Sequence, residues 1–469
     1  MRWRRYQLRK EAVGVALRHP WIFRDHLSSA ASVFRDGERL RLVDGHNRVV
    51  GHGLYEATGA IAIRMLRRGE ATPDAAWLRG RLAAAVARRA ELARHTDAIR
   101  LIHGESDDLP AVVVDRFADT LVVTSYTTGA DPLARYTAAA LAAGLVTVDS
   151  TSDAPPSSTS GAKAGSALGP AELRAIIGPA RHVVLRPARL RQRPDDRDAA
   201  HHAGAAEADT PGASNIGTGT EAGTEAEAGI GTETGVGTGT DLGTGTGAPA
   251  RVLRGAPPDV AQITEYGLAL AVDLATGQKT GTYLDLRGLR REVAAAPLTG
   301  ARVLNLFAYS GMLGRAAEAA GATAIVQVDA SARALAFARA HHVTDPDRHT
   351  FVVADVFDWL PAAAAEPTAL FDLVIVDPPS MTSKAAQVPG VLVAYRKLYR
   401  AAAGLVRPGG RLVAACCTSR IERAVFHRTV HDALGPSFTL DRELGPEPDH
   451  PVGFPQADYL KIAWWARTT

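Results

Sequence analysis

The residues of this 469-residue chain whose types and spacing could do chemistry lie between positions 301 and 417. Ser310 and Gly311 end VLNLFAYSG, Asp329 ends VQVD, Asp355 lies in VVADVF, Asp377-Pro378-Pro379-Ser380 ends FDLVIVDPPS, and Cys417 lies in GGRLVAACCTS. A glycine bend that opens a helix lets backbone approach a ligand and offers free amides to a carboxylate. Carboxylates at strand ends accept hydrogen bonds from ribose hydroxyls. Two prolines stiffen the turn after Asp377 and aim its carboxylate at ring nitrogens. A thiol can add to an electron-poor ring carbon. Together these groups suit a nucleoside cofactor beside a cytosine ring.

The elements that must position them are five apolar runs rich in Val, Leu and Ile, separated by helical patterns. They predict parallel strands of a doubly wound, Rossmann-like α/β sheet, whose ligands sit at the carboxyl ends of the strands. The first loop lacks the G-x-G-x-x-G of a dinucleotide fold. It suits instead the methionyl carboxylate of S-adenosylmethionine, with Asn305, Phe307, Tyr309, Ser310 and Gly311 around it. Asp329 then falls to the ribose and Asp355 to the adenine amino group, with Val356 and Phe357 against the ring. Carbon 5 of cytosine is too weak a nucleophile to take a methyl group directly. A thiolate adding to carbon 6 makes it an enamine, after which a base removes the proton and the thiolate leaves. Cys417 is placed for that addition, and Asp377 for N3 and the exocyclic amine, where it offsets charge on the ring. The base has no assignment. Strand alternation sends Cys416 and Cys417 to opposite faces, so only one can meet the base. The alternative for either is a buried thiol that simply packs.

Hydrophobic content of 46% and charged content of 22% are those of a globular protein long enough for about three domains. Residues 198–250 hold eight acidic and no basic side chains, leaving the rest of the chain with a net +11 against +3 overall. That balance favours a polyanionic partner. Only six of the 53 basic residues are Lys, a compositional bias that weakens any single Arg cluster as a phosphate signal. The two adjacent cysteines make neither a disulfide framework nor a zinc site, so a reducing cytoplasm and no metal are expected. No uncharged apolar run approaches the ~20 residues that span a bilayer, and Glu11 and Arg18 interrupt any signal-peptide core.

Residues 1–72 alternate apolar and polar positions between Asp-Gly and Thr-Gly turns, which predicts a small β-barrel. Arg5 and Arg9 precede HPWIF at His19 to Phe23. Cations beside Trp21 can grip a phosphate backbone and a stacked base; alternatively Trp21 and Phe23 are core and the arginines a solvated face. Residues 73–286 predict an α/β middle unit, with a helix over 75–94, a hairpin bending at Ala118-Asp119, and a strand HVVLRPARLRQR that resumes at RVLRG and YGLALAVDL. A Gly, Thr, Ala and Glu tract at 194–250 interrupts it and is expected to be a disordered acidic insertion, as is a shorter Ser, Pro and Gly stretch at 152–170. In DLATGQKTGTYLDLRGLRR, Tyr283, Asp285 and Arg287 alternate along an extended run; it reads as a flap over the cofactor or a hairpin leading into a helix capped near Asp285. Residues 287–469 form the cofactor domain.

From VLNLFAYSG through DPPS to AACCTS, with DLATGQKTGTYLDLR ahead and HPWIF at the start, the chain resembles the cytosine-C5 methyltransferase family of 23S rRNA. The resemblance implies a PUA-like RNA-binding barrel fused to a class I methyltransferase with a seven-stranded sheet. It also implies S-adenosylmethionine as cofactor and large-subunit rRNA or a ribosomal precursor as partner, with no membrane and a homodimer left open. The family's Ser-Cys-Ser-like triplet falls on Cys416-Cys417-Thr418 and marks Cys417 as nucleophile. Its Lys-Thr-Gly and Asp-x-Arg segment falls on Lys279-Thr280-Gly281, Asp285 and Arg287, which with Tyr283 are expected at the cofactor, Lys279 reaching RNA. Leu286, Cys416 and Ser380 depart from the pattern. The Asp-Pro-Pro turn without a second cysteine resembles relatives that methylate purine nitrogens such as guanine N2 or N7, so the target atom stays open, as does a non-catalytic RNA-binding role in ribosome assembly.

Overall fold

The computed structural model describes residues 3–28, 31, 33–144, 168–186, 250–365, 370–382 and 384–468. The acidic insertion at 194–250 and the stretch at 152–170 lie, but for their last residues, outside them.

The first sheet runs β1 (Arg4–Gln7), β3 (Arg39–Val43), β4 (Val49–Tyr55), β5 (Ile61–Arg68), β2 (Trp21–Phe23). Inward positions Tyr6, Leu40, Leu42, Ile63 and Met65 form one apolar cluster with Ala12 and Ala16 of the helix Lys10–Arg18. The second sheet orders β10 (Arg251–Arg254), β9 (His182–Arg186), β8 (Thr120–Ser125), β7 (Val112–Phe117), β6 (Ala98–His103). Helices Ala75–Ala87, Asp131–Ala142 and Pro170–Ile177 pack their Ala and Leu faces on it. The expected helix over 75–94 stops early, with a short turn at Leu92–Arg94. RVLRG does pair with HVVLR, antiparallel. YGLALAVDL does not continue that sheet. It forms a separate hairpin, β11 (Val260–Glu265) and β12 (Leu268–Asp273), because Tyr266-Gly267 turns the chain back on itself in the left-handed region.

The third sheet has seven strands: β15 (His349–Val353), β14 (Ala324–Asp329), β13 (Arg302–Leu306), β16 (Phe371–Val376), β17 (Val406–Cys416), β19 (Lys461–Arg467) and β18 (Phe438–Leu444). Pairing is parallel from β15 through β17, and antiparallel where β19 joins β17 and β18. The central strands β13, β16, β17 and β19 are buried on both faces, the edge strands β15 and β18 only in part. Leu304, Leu306, Val374 and Ala414 pack against the helix Val388–Gly404, and Val303, Ile375, Val413 and Ala415 against helices Arg287–Ala294 and Met312–Ala319. The chain order reverses between β13 and β16, so their carboxyl ends open a crevice where such sheets bind ligands. No helix of the described residues is long and apolar enough to cross a membrane.

Two expectations from the sequence change here. Trp21 is no RNA contact: it is fully buried against Ile61, Phe454 and Ala457, its indole N–H donates to Glu105 at 2.8 Å, and the Arg64 guanidinium lies over its ring. An apolar ring with one buried donor is stabilised most where both are covered, and three parts of the chain meet at that spot. Arg287 is no cofactor ligand. Asp285 sits in a helical turn, Leu284–Leu286, that runs straight into the helix Arg287–Ala294, so alternate positions do not share a face. The guanidinium of Arg287 enters the interior and meets Asp449 at 2.9 Å, Glu447 at 3.2 Å and Glu265 at 3.5 Å.

Candidate active site

At the end of β13 the backbone of Phe307, Tyr309 and Gly311 alternates into the left-handed region. For Phe and Tyr that conformation costs energy and persists only when neighbours hold it. Asp329, at the end of β14, accepts the Tyr309 amide at 2.8 Å on one oxygen and the Ser331 amide at 2.8 Å on the other. Behind the loop, buried His342 faces the Ser310 carbonyl through Nδ1 and accepts the Ala271 amide at 2.9 Å through Nε2. Those partners require the neutral tautomer protonated on Nδ1, and burial pushes His342 down to about 4. Gly311 needs its φ of +75°, and a Cβ there would stand 2.6 Å from the Ala338 Cβ. The loop, whose Tyr309 and Gly311 amides are spent on Asp329 and the Ala308 carbonyl, thus leads in one fixed form into the helix Met312–Ala319, whose first-turn amides open on the crevice.

Asp355 is exposed two residues past β15 and accepts the Phe357 amide at 2.8 Å. Phe357 lies edge-on to Phe307 at 5.7 Å, so an aromatic pair links the ends of β13 and β15, which flank the Asp329 strand. Two expected contacts fall elsewhere. The Val356 side chain points into the core with Leu306 and Val328, because the first turn of the helix Val356–Ala365 directs it inward. Asn305 is wholly buried within β13, where it donates to Gln327 at 3.4 Å; it supports the loop from beneath. The remaining set, amides at a helix start, two strand-end carboxylates and an aromatic pair, fits the amino-acid, ribose and adenine parts of S-adenosylmethionine.

The second half of the site forms where β16 and β17 end. Cys416 points into the core, fully buried, with the Tyr395 hydroxyl 3.5 Å from its sulfur. Cys417 is half-buried and its thiol donates toward the Pro378 carbonyl at 3.8 Å, so the strand alternation places it at the Asp-Pro-Pro corner. Pro378 is buried and Pro379 exposed. Burial and the Asp285 charge push Asp377 up to about 7, against the pull of Lys279. Burial and the Asp377 charge push the Cys417 thiol well above its ordinary value. At neutral pH the pair therefore holds between one and two protons.

The flap joins this corner. Lys279, in the left-handed region, lies 4.3 Å from the Tyr283 ring centre and 3.9 Å from Asp285, facing the site. The Tyr283 hydroxyl donates to the Gln278 side chain at 2.6 Å, and the Gln278 amide donates to the Tyr309 hydroxyl at 2.8 Å. Thr280 donates to Asp115 of the middle sheet at 2.6 Å, and Arg100 holds the same carboxylate. Asp285 is buried and accepts from Tyr459 at 2.6 Å. Burial alone would raise its carboxyl, yet Lys279, His450 and Tyr459 hold it well below the usual range. Gln278, His342, Asp115 and Tyr459 escaped the sequence reading. Only Gln278, inside TGQKTG, carried any local signal; the others reach the site across 32 to 174 positions of chain. On the first sheet, Arg5 is exposed and donates to Asn47 at 2.9 Å, and Arg9 is exposed beside it.

Comparison with known proteins agrees with this fold. The family described as S-adenosylmethionine-dependent methyltransferase matches residues 246–462, and the PUA-like domain matches residues 8–68. A putative S-adenosylmethionine-dependent methyltransferase from Streptococcus mutans superposes with a TM-score of 0.69 at 17% identity, covering 99% of this chain and 100% of that one. A putative methyltransferase complexed with SAH does so with the same score at 18% identity. A ribosomal RNA large subunit methyltransferase I from Klebsiella pneumoniae is 28% identical over 95% of this chain and 93% of its own length. A ribosomal RNA large subunit methyltransferase from Deinococcus radiodurans is 31% identical over 461 residues, 95% of this chain and 93% of its own. A PUA-like domain, a class I fold and this end-to-end similarity together establish that the chain belongs to the ribosomal RNA large subunit methyltransferase family, S-adenosylmethionine-dependent enzymes.

Proposed function

We propose that this enzyme methylates carbon 5 of a cytidine in large-subunit rRNA through a covalent adduct between Cys417 and carbon 6, in the reducing cytoplasm where its thiol stays free. Asp329 and Asp355 hold ribose and adenine, the amides at the start of the helix Met312–Ala319 hold the methionyl carboxylate, and the bound cofactor supplies an electrophilic methyl group. The observation that carries the reading is the Cys417 sulfur at the Pro378 carbonyl, beside Asp377, while Cys416 is committed to the core. A carboxyl near 7 next to a thiol of raised pKa supports a route by which the protonated thiol attacks. As the sulfur approaches carbon 6, Asp377 takes its proton and passes it to N3, so charge never accumulates on the pyrimidine. Arg5, Arg9 and the first sheet contact the RNA backbone, and Lys279 contacts the target nucleotide.

Replacing Cys417 by Ala tests this. Methyl transfer to rRNA should fall by about a hundredfold or more, with cofactor affinity unchanged by calorimetry. Full activity in that variant would exclude covalent addition and leave methylation of a purine nitrogen.

A further inference from the structure

Adduct chemistry needs a base for the carbon 5 proton. Asp285 is more than nine-tenths buried, and its Oδ2 is taken by the Tyr459 hydroxyl at 2.6 Å with Lys279 at 3.9 Å. Its Oδ1 is buried and has no hydrogen-bond partner. A carboxylate oxygen buried without a partner is costly, and it is here in the same cluster as the two groups that act on the ring: the Asp285 charge acts on both Asp377 and Cys417. A buried donor or acceptor left open in a native site is explained when a substrate completes it.

Resting on the Cys417 reading, we propose that Asp285 is the base that removes the carbon 5 proton after methyl transfer. At that stage carbon 5 carries both hydrogen and methyl, and carbon 6 carries the sulfur. Oδ1 takes the proton, the C–H electron pair becomes the C5–C6 double bond, and the C6–S bond breaks with its pair on sulfur. The thiolate recovers a proton from Asp377, which regains its own from N3, and Asp285 loses its proton to solvent. Two carboxylates whose surroundings drive their proton affinities apart suit opposite tasks, Asp377 as proton donor to the ring and Asp285 as acceptor. Facing Asp285 are Lys279 and Tyr283 of its own segment, Arg100 and Tyr126 of the middle sheet, Asp377 and Cys417 at the strand ends, and His450 and Tyr459 near the C-terminus.

The test compares wild type with Asp285→Asn on rRNA substrate and on the same RNA carrying 5-fluorocytidine, whose fluorine no base can remove. Both proteins should be trapped on the fluorinated RNA, as a denaturation-resistant band. On ordinary RNA, Asp285→Asn should accumulate that band, carrying the transferred methyl group, while turnover falls about a hundredfold. Release of methylated RNA at the wild-type rate would overturn the proposal, and so would loss of cofactor binding, which would make Asp285 a cofactor ligand. Wild type that methylates RNA yet is never trapped by 5-fluorocytidine would instead remove the covalent reading itself. Should Asp285→Asn fail to fold, Tyr459→Phe decides: it removes one of the contacts that, after Lys279 and His450, keep Asp285 ionised, so the acid limb of product release should move to higher pH, and an unmoved limb overturns the assignment.

Discussion

Asp377 has an ordinary sequence context for a strand end, and only its surroundings give it the raised proton affinity that the proposed mechanism uses. Its folded-state value of about 7 lies above the ordinary aspartate range. The paired thiol and carboxyl are competent when they share one proton, so kcat/KM should rise with pH through about 7 and then stay level well into the alkaline range. In Asp377→Asn that acid limb should vanish with most of the activity, measured as a pH profile of methyl transfer. The linkage has a second consequence. Because folding raises the pKa, the wild-type folded state is favoured with Asp377 protonated and loses stability as pH rises toward 7. Asp377→Asn should therefore melt higher than wild type at pH 8 and close to it at pH 4, by calorimetry without ligands.

At the scale of elements, the glycine bend between β13 and the helix Met312–Ala319 is the stiffest part of the site. Gly311 combines a left-handed φ with a Cβ position that would collide with Ala338. Gly311→Ala should cost about 1–3 kcal/mol of stability and weaken S-adenosylmethionine binding, read by melting and calorimetry, because the bend must move off Ala338 of the helix Ala332–His341. The flap is the contrasting case. Its motif residues were recognisable, but the alternation that put Tyr283, Asp285 and Arg287 on one side assumed extended backbone. The tight turn at Leu284–Leu286 instead divides them, Tyr283 toward Tyr309, Asp285 toward Asp377, and Arg287 into the interior.

Across the whole molecule, buried charged side chains, beside an apolar cluster that joins Ala98, Phe117 and Val122 to Leu284 and Met312, lock the middle unit to the catalytic domain. Arg287 answers Glu265, Glu447 and Asp449 and donates to the Ala98 carbonyl at 2.7 Å, while Asp449 also accepts the Arg100 amide at 2.9 Å. Removing that cation leaves buried Glu447 without an ion pair among the described residues and Asp449 with only the Arg100 amide and His450, while Glu265 keeps Arg290. Arg287→Ala should lose about 3–5 kcal/mol in denaturant unfolding, far more than loss of a cofactor contact would explain. Trp21 belongs to the same scale: HPWIF is a joint among the first sheet, Glu105 and Phe454, not a stacking platform.

The sequence by itself determined the class of sheet, its carboxyl-end acids, the Asp-Pro-Pro corner and the parity that separates Cys416 from Cys417, because strand period and turn chemistry are local properties written into adjacent residues. What only the tertiary structure decided is which polar groups face one another. Arg287 and Trp21 look like ligand contacts in one dimension and are interior ties in three. His342, Asp115 and Tyr459 look like nothing at all, yet they hold the loop, the flap and Asp285. A polar side chain's role is set by the partners that answer its charge after desolvation, and those partners arrive from chain segments far away in sequence.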